Sequence, residues 1–163
     1  MRILRQVEIP CGTDLAALYR EKAGDYPKFF KMDTLSKLGF LLTELLVEGE
    51  ADRFTPREDQ AVVVCSRNGC VCNDRHYADS MADFPSPALF VYTLPNIVTG
   101  EIAIRNKYEG ETSAFVLESF DTEVFFGLVE SVFQDRLTRS AVACWIDCRG
   151  DKDWDAVGYL IER

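Results

Sequence analysis

The chain is poor in histidine and has no glycine-rich nucleotide-binding motif. It contains a single histidine, His76, and no glycine-rich phosphate loop, since Asn68-Gly69 and Gly110 stand apart. Cys70 and Cys72 lie close in sequence to Cys65 and His76, but a structural zinc site needs two properly spaced ligand pairs. We therefore predict no metal ion and no cofactor, and expect these cysteines to be ordinary reduced thiols.

Basic clusters and long apolar segments are also missing. The formal net charge is −9, and the Lys and Arg residues are not gathered into a patch, which argues against nucleic acid and anionic membranes as partners. No apolar run approaches the roughly 20 residues that span a bilayer, and residues 1–12 lack the apolar centre of a signal peptide. We expect a cytoplasmic protein with six reduced cysteines.

The composition is typical of a folded globular protein. Of 163 residues, 47% are hydrophobic, while ten glycines and six prolines are too few for a disordered chain. No internal repeat, linker or low-complexity tract divides the sequence. We predict one domain over residues 1–163 that is large enough to bury a core.

Apolar periodicity predicts strands that alternate with helices. The predicted strands are 2–9, 61–65, 113–117, 141–146 and 156–161. The predicted helices are 14–22, 34–47, 88–106 with a break at Leu94-Pro95, and 121–136. The polar segment 66–84 shows no clear pattern. This alternation, with one wholly apolar strand at 61–65, predicts an α/β fold with a mixed sheet.

A candidate site lies where the strand 113–117 meets the helix that follows it. Ser119 stands at this junction, where a helix N-terminus supplies partial positive charge and free N–H groups. A serine nucleophile needs a base within hydrogen-bond reach, and His76 is the one histidine available. The structural alternative is that Ser119 or Asp121 caps the helix.

The stretch 86–121 resembles the segment of β-ketoacyl-acyl carrier protein synthases that leads into their active-site cysteine. Five features match that segment in order and spacing: Leu94-Pro95-Asn96, Thr99-Gly100, Ile102-Ala103-Ile104, Gly110 and residues 113–116. Weaker likenesses cover 31–47, 61–66 and 155–163. The resemblance covers most of this chain and half of a complete synthase.

The resemblance implies a thiolase-like half-domain whose five-stranded sheet is mixed and mostly parallel. It places Ser119 at the position of the nucleophilic cysteine, with Glu118 and Phe120 where the family has small residues. A thiolate attacks thioesters near neutral pH, whereas a serine hydroxyl stays protonated without a base. The family's two other catalytic residues, histidines in most decarboxylating members, come from its C-terminal half. The likeness therefore implies a synthase-type fold and a role in the same biosynthetic pathway, but it does not imply that this chain catalyses the family's reaction.

The same resemblance indicates a partner surface. In the family, the strand beside the active site pairs across the dimer, so we expect the apolar run 88–104 and the strand 113–117 to contact another polypeptide. The implied assembly is a homodimer or a heterodimer with a full-length ketosynthase, with acyl carrier protein as a further partner. The implied role is that of a chain-length-factor-like subunit in fatty acid or polyketide synthesis.

Two alternatives remain open. One is an acyltransferase that uses Ser119 as nucleophile, with a base from His76 or from a partner chain. The other is a structural protein that keeps the fold and acts outside the pathway.

Overall fold

Five strands form one mixed sheet in the computed structural model, which describes residues 1–163. The order is β1-β5-β4-β2-β3, where β1 is Arg2–Glu8, β2 Gln60–Ser66, β3 Thr112–Val116, β4 Ser140–Gly150 and β5 Asp153–Glu162. β2 pairs in parallel with both β3 and β4, whereas β5 pairs antiparallel with β1 and β4. Four strands therefore share one direction and β5 runs against them, which confirms the predicted mixed, mostly parallel sheet.

Six helices accompany the sheet. They are α1 Leu15–Lys22, α2 Thr34–Leu46, α3 Val71–Ser80, α4 Pro87–Phe90, α5 Ile97–Asn106 and α6 Thr122–Val132, and a 3-10 turn covers Pro27–Lys31. Asp14, Asp33 and Asp121 cap α1, α2 and α6 by accepting hydrogen bonds from first-turn N–H groups. The break at Leu94-Pro95 falls between α4 and α5. No helix is long and apolar enough to cross a membrane.

The sheet is covered on both faces. Val62 and Val64 of β2 pack into the larger core beneath α1, α2 and α5, while Ala61, Val63 and Cys65 pack into a smaller core beneath α6. Successive side chains of a strand point to opposite faces, so both sets are buried only because helices lie on each side. This arrangement explains the uninterrupted apolar run of β2.

Helices α2 and α5 pack closely because α2 carries a glycine at their contact. A Cβ on Gly39 would overlap Val98 and lie 3.2 Å from Ile102 Cδ1. A second close approach occurs at Gly110, where a Cβ would lie 2.5 Å from the carbonyl oxygen of Gln60. These two contacts set the positions of α5 and of the turn that leads into β3.

Two parts of the structure differ from the sequence prediction. The polar segment 66–84 contains α3, whose one fully buried residue is Asn73, so its apolar periodicity is too weak to be seen in the sequence. Helix α6 covers Thr122–Val132 and is shorter than the predicted 121–136. The apolar sequence of its first turn suggests that Val124 packs inward, but Val124 is exposed. The face of α6 that packs against the sheet is formed by Phe125, Val129 and Val132.

Candidate functional site

Ser119 lies on an exposed turn between β3 and α6, beyond the carboxyl end of β3. The Asp121 Oδ1 accepts a hydrogen bond from the Val124 N–H at 3.0 Å, so Asp121 caps α6, as one of the sequence alternatives predicted. The Ser119 hydroxyl makes no hydrogen bond within the chain. No side chain of this chain is therefore hydrogen-bonded to the hydroxyl as a base would be.

The residues on either side of Ser119 add bulk and charge. The Phe120 ring lies 5.4 Å, centroid to centroid, from both Phe125 and Trp145, which fixes it against the smaller core. Glu118 is exposed and has no cationic partner. Ser119 is thus flanked in sequence by an aromatic ring that packs on the smaller core and by an exposed, unpaired carboxylate.

His76 lies elsewhere, on α3, where it lines a cavity of about 680 Å³. Its Nε2 is 3.5 Å from the Asp151 Oδ2. The cavity wall includes Trp154, which belongs to the larger core beneath α2, whereas Phe120 packs against the smaller core beneath α6. The structure therefore does not bring His76 and Ser119 together within one chain.

The cavity beside His76 also contains three thiols, those of Cys70, Cys72 and Cys148. Burial, with a further contribution from Asp74, raises the pKa of the Cys70 thiol to about 11. Burial also raises the pKa of Cys72 and of Cys148. Protonated thiols are poor nucleophiles and poor metal ligands. The chain contains no group of three or more His, Cys, Asp or Glu side chains that could hold a metal ion.

A further candidate site is an apolar surface on α4, α5, β3 and the loops beside them, here called the α4–β3 surface. Its large side chains are between 51% and 78% exposed, and they are Phe84, Phe90, Val91, Leu94, Ile104 and Val116. Pro95 and Val116 meet over Gly69, since their side chains lie 3.5 and 3.8 Å from the position of a Cβ on that residue. Apolar patches of this kind mark interaction sites more often than free surface.

The α4–β3 surface borders an unpaired sheet edge. β3 pairs with β2 on one side and with no strand on the other. Its outer N–H and C=O groups are therefore free to form hydrogen bonds with a strand from another polypeptide. The exposed edge can provide backbone hydrogen bonds to a partner strand, and the exposed apolar side chains beside it can provide apolar packing.

A buried ionic network holds α5, and with it the α4–β3 surface, in place. Glu44 on α2 accepts hydrogen bonds from Arg53 and, at 2.9 Å, from the Arg105 Nε. The guanidinium of Arg105 also lies over the rings of Tyr26 and Phe40, at 5.3 and 5.5 Å. These contacts join α2, α5 and the segment before the 3-10 turn.

A second buried carboxylate links α5 to the segment after α4. The Tyr92 hydroxyl donates to Glu101 Oε1 at 2.9 Å, and Lys28 Nζ lies 2.8 Å from the same oxygen. Burial, and then the hydrogen bond to Glu101, raise the pKa of Tyr92. The apolar residues of the α4–β3 surface are therefore carried on a framework of buried polar contacts.

Comparison with known proteins identifies the fold. No family model matches the sequence, and no curated protein matches it at a significant level. A solved structure described as the ishigamide ketosynthase/chain length factor superimposes with a TM-score of 0.73 and 15% identity, over 93% of this chain and 48% of that chain. The fold is that of the thiolase-like ketosynthases.

Two further structures share this ketosynthase fold. One is a ketosynthase (ApeO) in complex with its chain length factor (ApeC) from Xenorhabdus doucetiae, with a TM-score of 0.69 and 16% identity over 99% of this chain and 78% of that chain. The other is a β-ketoacyl synthase from Burkholderia phymatum STM815, with a TM-score of 0.61 and 13% identity over 87% of this chain and 45% of that chain. The chain thus spans about half the length of two of these three chains, 48% and 45%.

Sequence reasoning missed the two buried carboxylates that organise the ketosynthase fold of this chain. Glu44 interrupts the leucine-rich stripe of α2, and Glu101 follows directly on the apolar run 88–100. A charged residue inside an apolar stripe is the signal that could have revealed them, because buried charges require partners. The identity of those partners, Arg53, Arg105 and Tyr92, depends on how the helices pack.

Proposed function

We propose that this chain is a non-catalytic, chain-length-factor-like subunit that pairs with a ketosynthase in fatty acid or polyketide-type synthesis. The observation that carries the proposal is the free edge of β3 beside the α4–β3 surface. A stable heterodimer would cover both, because strand pairing satisfies the edge and side-chain packing removes the apolar surface from water. The partner then brings the catalytic cysteine and histidines that this chain lacks.

The surroundings of Ser119 support a role without catalysis. The hydroxyl has no base in reach, and Phe120 and Glu118 flank it. An unactivated serine hydroxyl is a weak nucleophile at neutral pH. We therefore propose that Ser119 occupies the nucleophile position of the family and does not become acylated.

We also propose that residues 1–163 form a single unit equivalent to one half of a synthase. The match to a chain of the Xenorhabdus doucetiae complex over 78% of its length supports this, since that chain is not much longer than the present one. We propose acyl carrier protein as the third component, which would deliver the growing acyl chain to the ketosynthase partner.

The test is co-purification with a ketosynthase encoded beside this protein, followed by two matched variants. Val116→Asp places a charge on the α4–β3 surface, whereas Leu137→Asp changes an equally exposed residue outside it; the two are 62% and 65% exposed. We expect Val116→Asp to abolish co-purification and Leu137→Asp to leave it unchanged. Complex formation that survives Val116→Asp, or that never occurs with any neighbouring synthase, would rule out the proposed interface.

A second candidate function is acyl transfer by Ser119, which is favoured by its exposure at the start of a capped helix. A partner chain would have to supply the base, because His76 lies on α3 beside the larger core, whereas Phe120, next to Ser119, packs against the smaller core. Incubation with acyl-carrier thioesters, with and without the ketosynthase, tests this by intact mass. An adduct that is lost in Ser119→Ala would establish the transferase, and the absence of an adduct under both conditions would exclude it. A monomer that is silent in both assays would instead indicate the structural role outside the pathway.

A further inference from the structure

The free edge of β3 is flanked by acidic residues at both ends. Glu109 and Glu111 precede the strand, and Glu118, Asp121 and Glu123 follow it. All five are exposed, and none forms a salt bridge within the chain. The Glu111 carboxylate accepts a hydrogen bond from the Ser113 hydroxyl at 2.9 Å, and Asp121 caps α6, so both are held near the strand.

Two exposed cations lie near these carboxylates. Lys107 precedes the acidic residues at the start of β3. Arg67 lies near the end of β3, because the preceding residue, Ser66, accepts a hydrogen bond through its carbonyl from the Leu117 N–H. Neither cation forms a salt bridge. A third cation, Arg57, lies beside Glu109, but its guanidinium is already paired with Glu50 and Asp59. The two ends of the β3 edge therefore remain negative, with five unpaired carboxylates against two unpaired cations.

This charge pattern disfavours pairing of β3 with a second copy of itself. In an antiparallel pair, the start of one strand lies beside the end of the other, and in a parallel pair like ends meet. Carboxylates face carboxylates in both cases, because both ends are acidic. Paired strands lie about 4.8 Å apart, within the Debye length of about 8 Å at physiological salt, so the repulsion is only partly screened.

We infer that the acidic ends of β3 select a different polypeptide, whose edge strand carries Lys or Arg at both ends, and reject a homodimer. Charges that oppose each other across a strand pair destabilise it when they are alike and stabilise it when they are opposite. This inference rests on the proposed function, in which β3 is the edge that pairs. Beyond the proposed function, it specifies that the partner's edge strand is positively charged at its ends and that β3 does not pair with β3 of a second copy.

The experiment reverses one charge and follows self-association. In the variant Glu118→Lys, an antiparallel pair would place the introduced ammonium group of each copy beside the Glu111 end of the other. We expect the wild-type protein to remain monomeric in sedimentation velocity at 50 mM salt, and Glu118→Lys to associate at least about tenfold more strongly, with an affinity that falls as salt rises. Glu8→Lys is the matched control, since Glu8 is an exposed, unpaired carboxylate on the opposite edge strand, β1. It should behave as the wild type.

Two results of the sedimentation experiment would overturn the inference. One is a wild-type dimer at 50 mM salt that Val116→Asp abolishes, and the other is a Glu118→Lys protein as monomeric as the wild type. Co-purification with the ketosynthase distinguishes failure of the charge selection from failure of the proposed heterodimer. If the ketosynthase binds wild type and Glu118→Lys equally, the charge selection is wrong and the heterodimer stands. If it binds neither, the heterodimer is wrong, and self-association still decides the charge selection.

Discussion

The Arg105 Nε donates a hydrogen bond to the Glu44 Oε1 at 2.9 Å, which ties α5 to α2 through a pair that is almost fully buried. The same guanidinium donates to Asp25 Oδ1 at 2.7 Å. One side chain thus holds together two helices and the segment before the 3-10 turn. Because α5 carries part of the α4–β3 surface, this network bears on stability and on partner binding.

Arg105→Ala should lower the free energy of unfolding by about 3 kcal/mol, because it leaves the buried Glu44 carboxylate with Arg53 alone. Urea denaturation followed by circular dichroism measures the change. The control is Arg2→Ala, which removes an exposed pair with Glu162 and should cost less than about 1 kcal/mol. Equal losses in the two variants would mean that burial does not set the strength of the Glu44 network.

Gly39→Ala should destabilise the protein by about 1–3 kcal/mol, because the added methyl group would overlap Val98 where α2 meets α5. Gly100→Ala on α5 has open space around it, so it should stabilise the protein by up to about 1 kcal/mol through helix propensity. Thermal unfolding of the two variants should show shifts of opposite sign. A stabilised Gly39→Ala protein would contradict the close helix contact.

Asp33→Asn should stabilise the protein at pH 7 and have little effect at pH 4. Burial raises the pKa of the Asp33 carboxyl in the folded state, so the ionised form is disfavoured there. The wild type is then fully stable below the unfolded pKa and loses stability as pH rises through the folded pKa. An asparagine side chain can still accept the hydrogen bond from the Ser36 N–H, but it carries no negative charge.

The control for this prediction separates capping from charge. Asp33→Ala removes both, so it should be about 1 kcal/mol less stable than Asp33→Asn at either pH. Thermal unfolding of the three proteins at pH 4 and pH 7 provides the comparison. A stability difference between Asp33→Asn and wild type that does not change with pH would contradict the raised pKa.

One thiol should react with maleimide much faster than the others in the folded protein. Cys11 is exposed and Cys72 is half-buried, whereas the remaining four are buried. Burial raises the pKa of Cys65 and of Cys144 to about 12, which leaves almost no thiolate at pH 8. Intact mass should show a first adduct that Cys11→Ser eliminates. Rapid labelling at four or more sites would show that the core opens readily.

Much of the fold could be predicted because its signals are local. The leucines of α2 recur at helical spacing, and Asp33 stands where an N-cap belongs. The unbroken apolar run of β2 indicated a strand covered on both faces. Helix α3 escaped prediction because its one buried residue is polar: the Asn73 Nδ2 donates to the Leu89 carbonyl 16 residues away, so no apolar periodicity marks the helix.

The candidate site was less predictable, because it depends on how segments far apart in the chain pack together. The sequence indicated that Ser119 follows a strand and that His76 is the one histidine, but their separation along the chain does not reveal that His76 packs beside the larger core and Phe120, next to Ser119, beside the smaller one. The position of Glu44 could be read from the sequence, whereas its pairing with Arg105, 61 residues away, could not.

The sequence by itself determined the five strands, the helices α1, α2, α5 and α6 and the acidic ends of β3, because periodicity, capping and charge act over a few residues. The tertiary structure alone decided that β1 lies beside β5, that β3 stays an open edge, and that His76 lies beside the larger core while Phe120, next to Ser119, packs against the smaller one. Those relationships arise from contacts between segments far apart in the chain, where the burial of apolar surface on both faces of one sheet selects the arrangement.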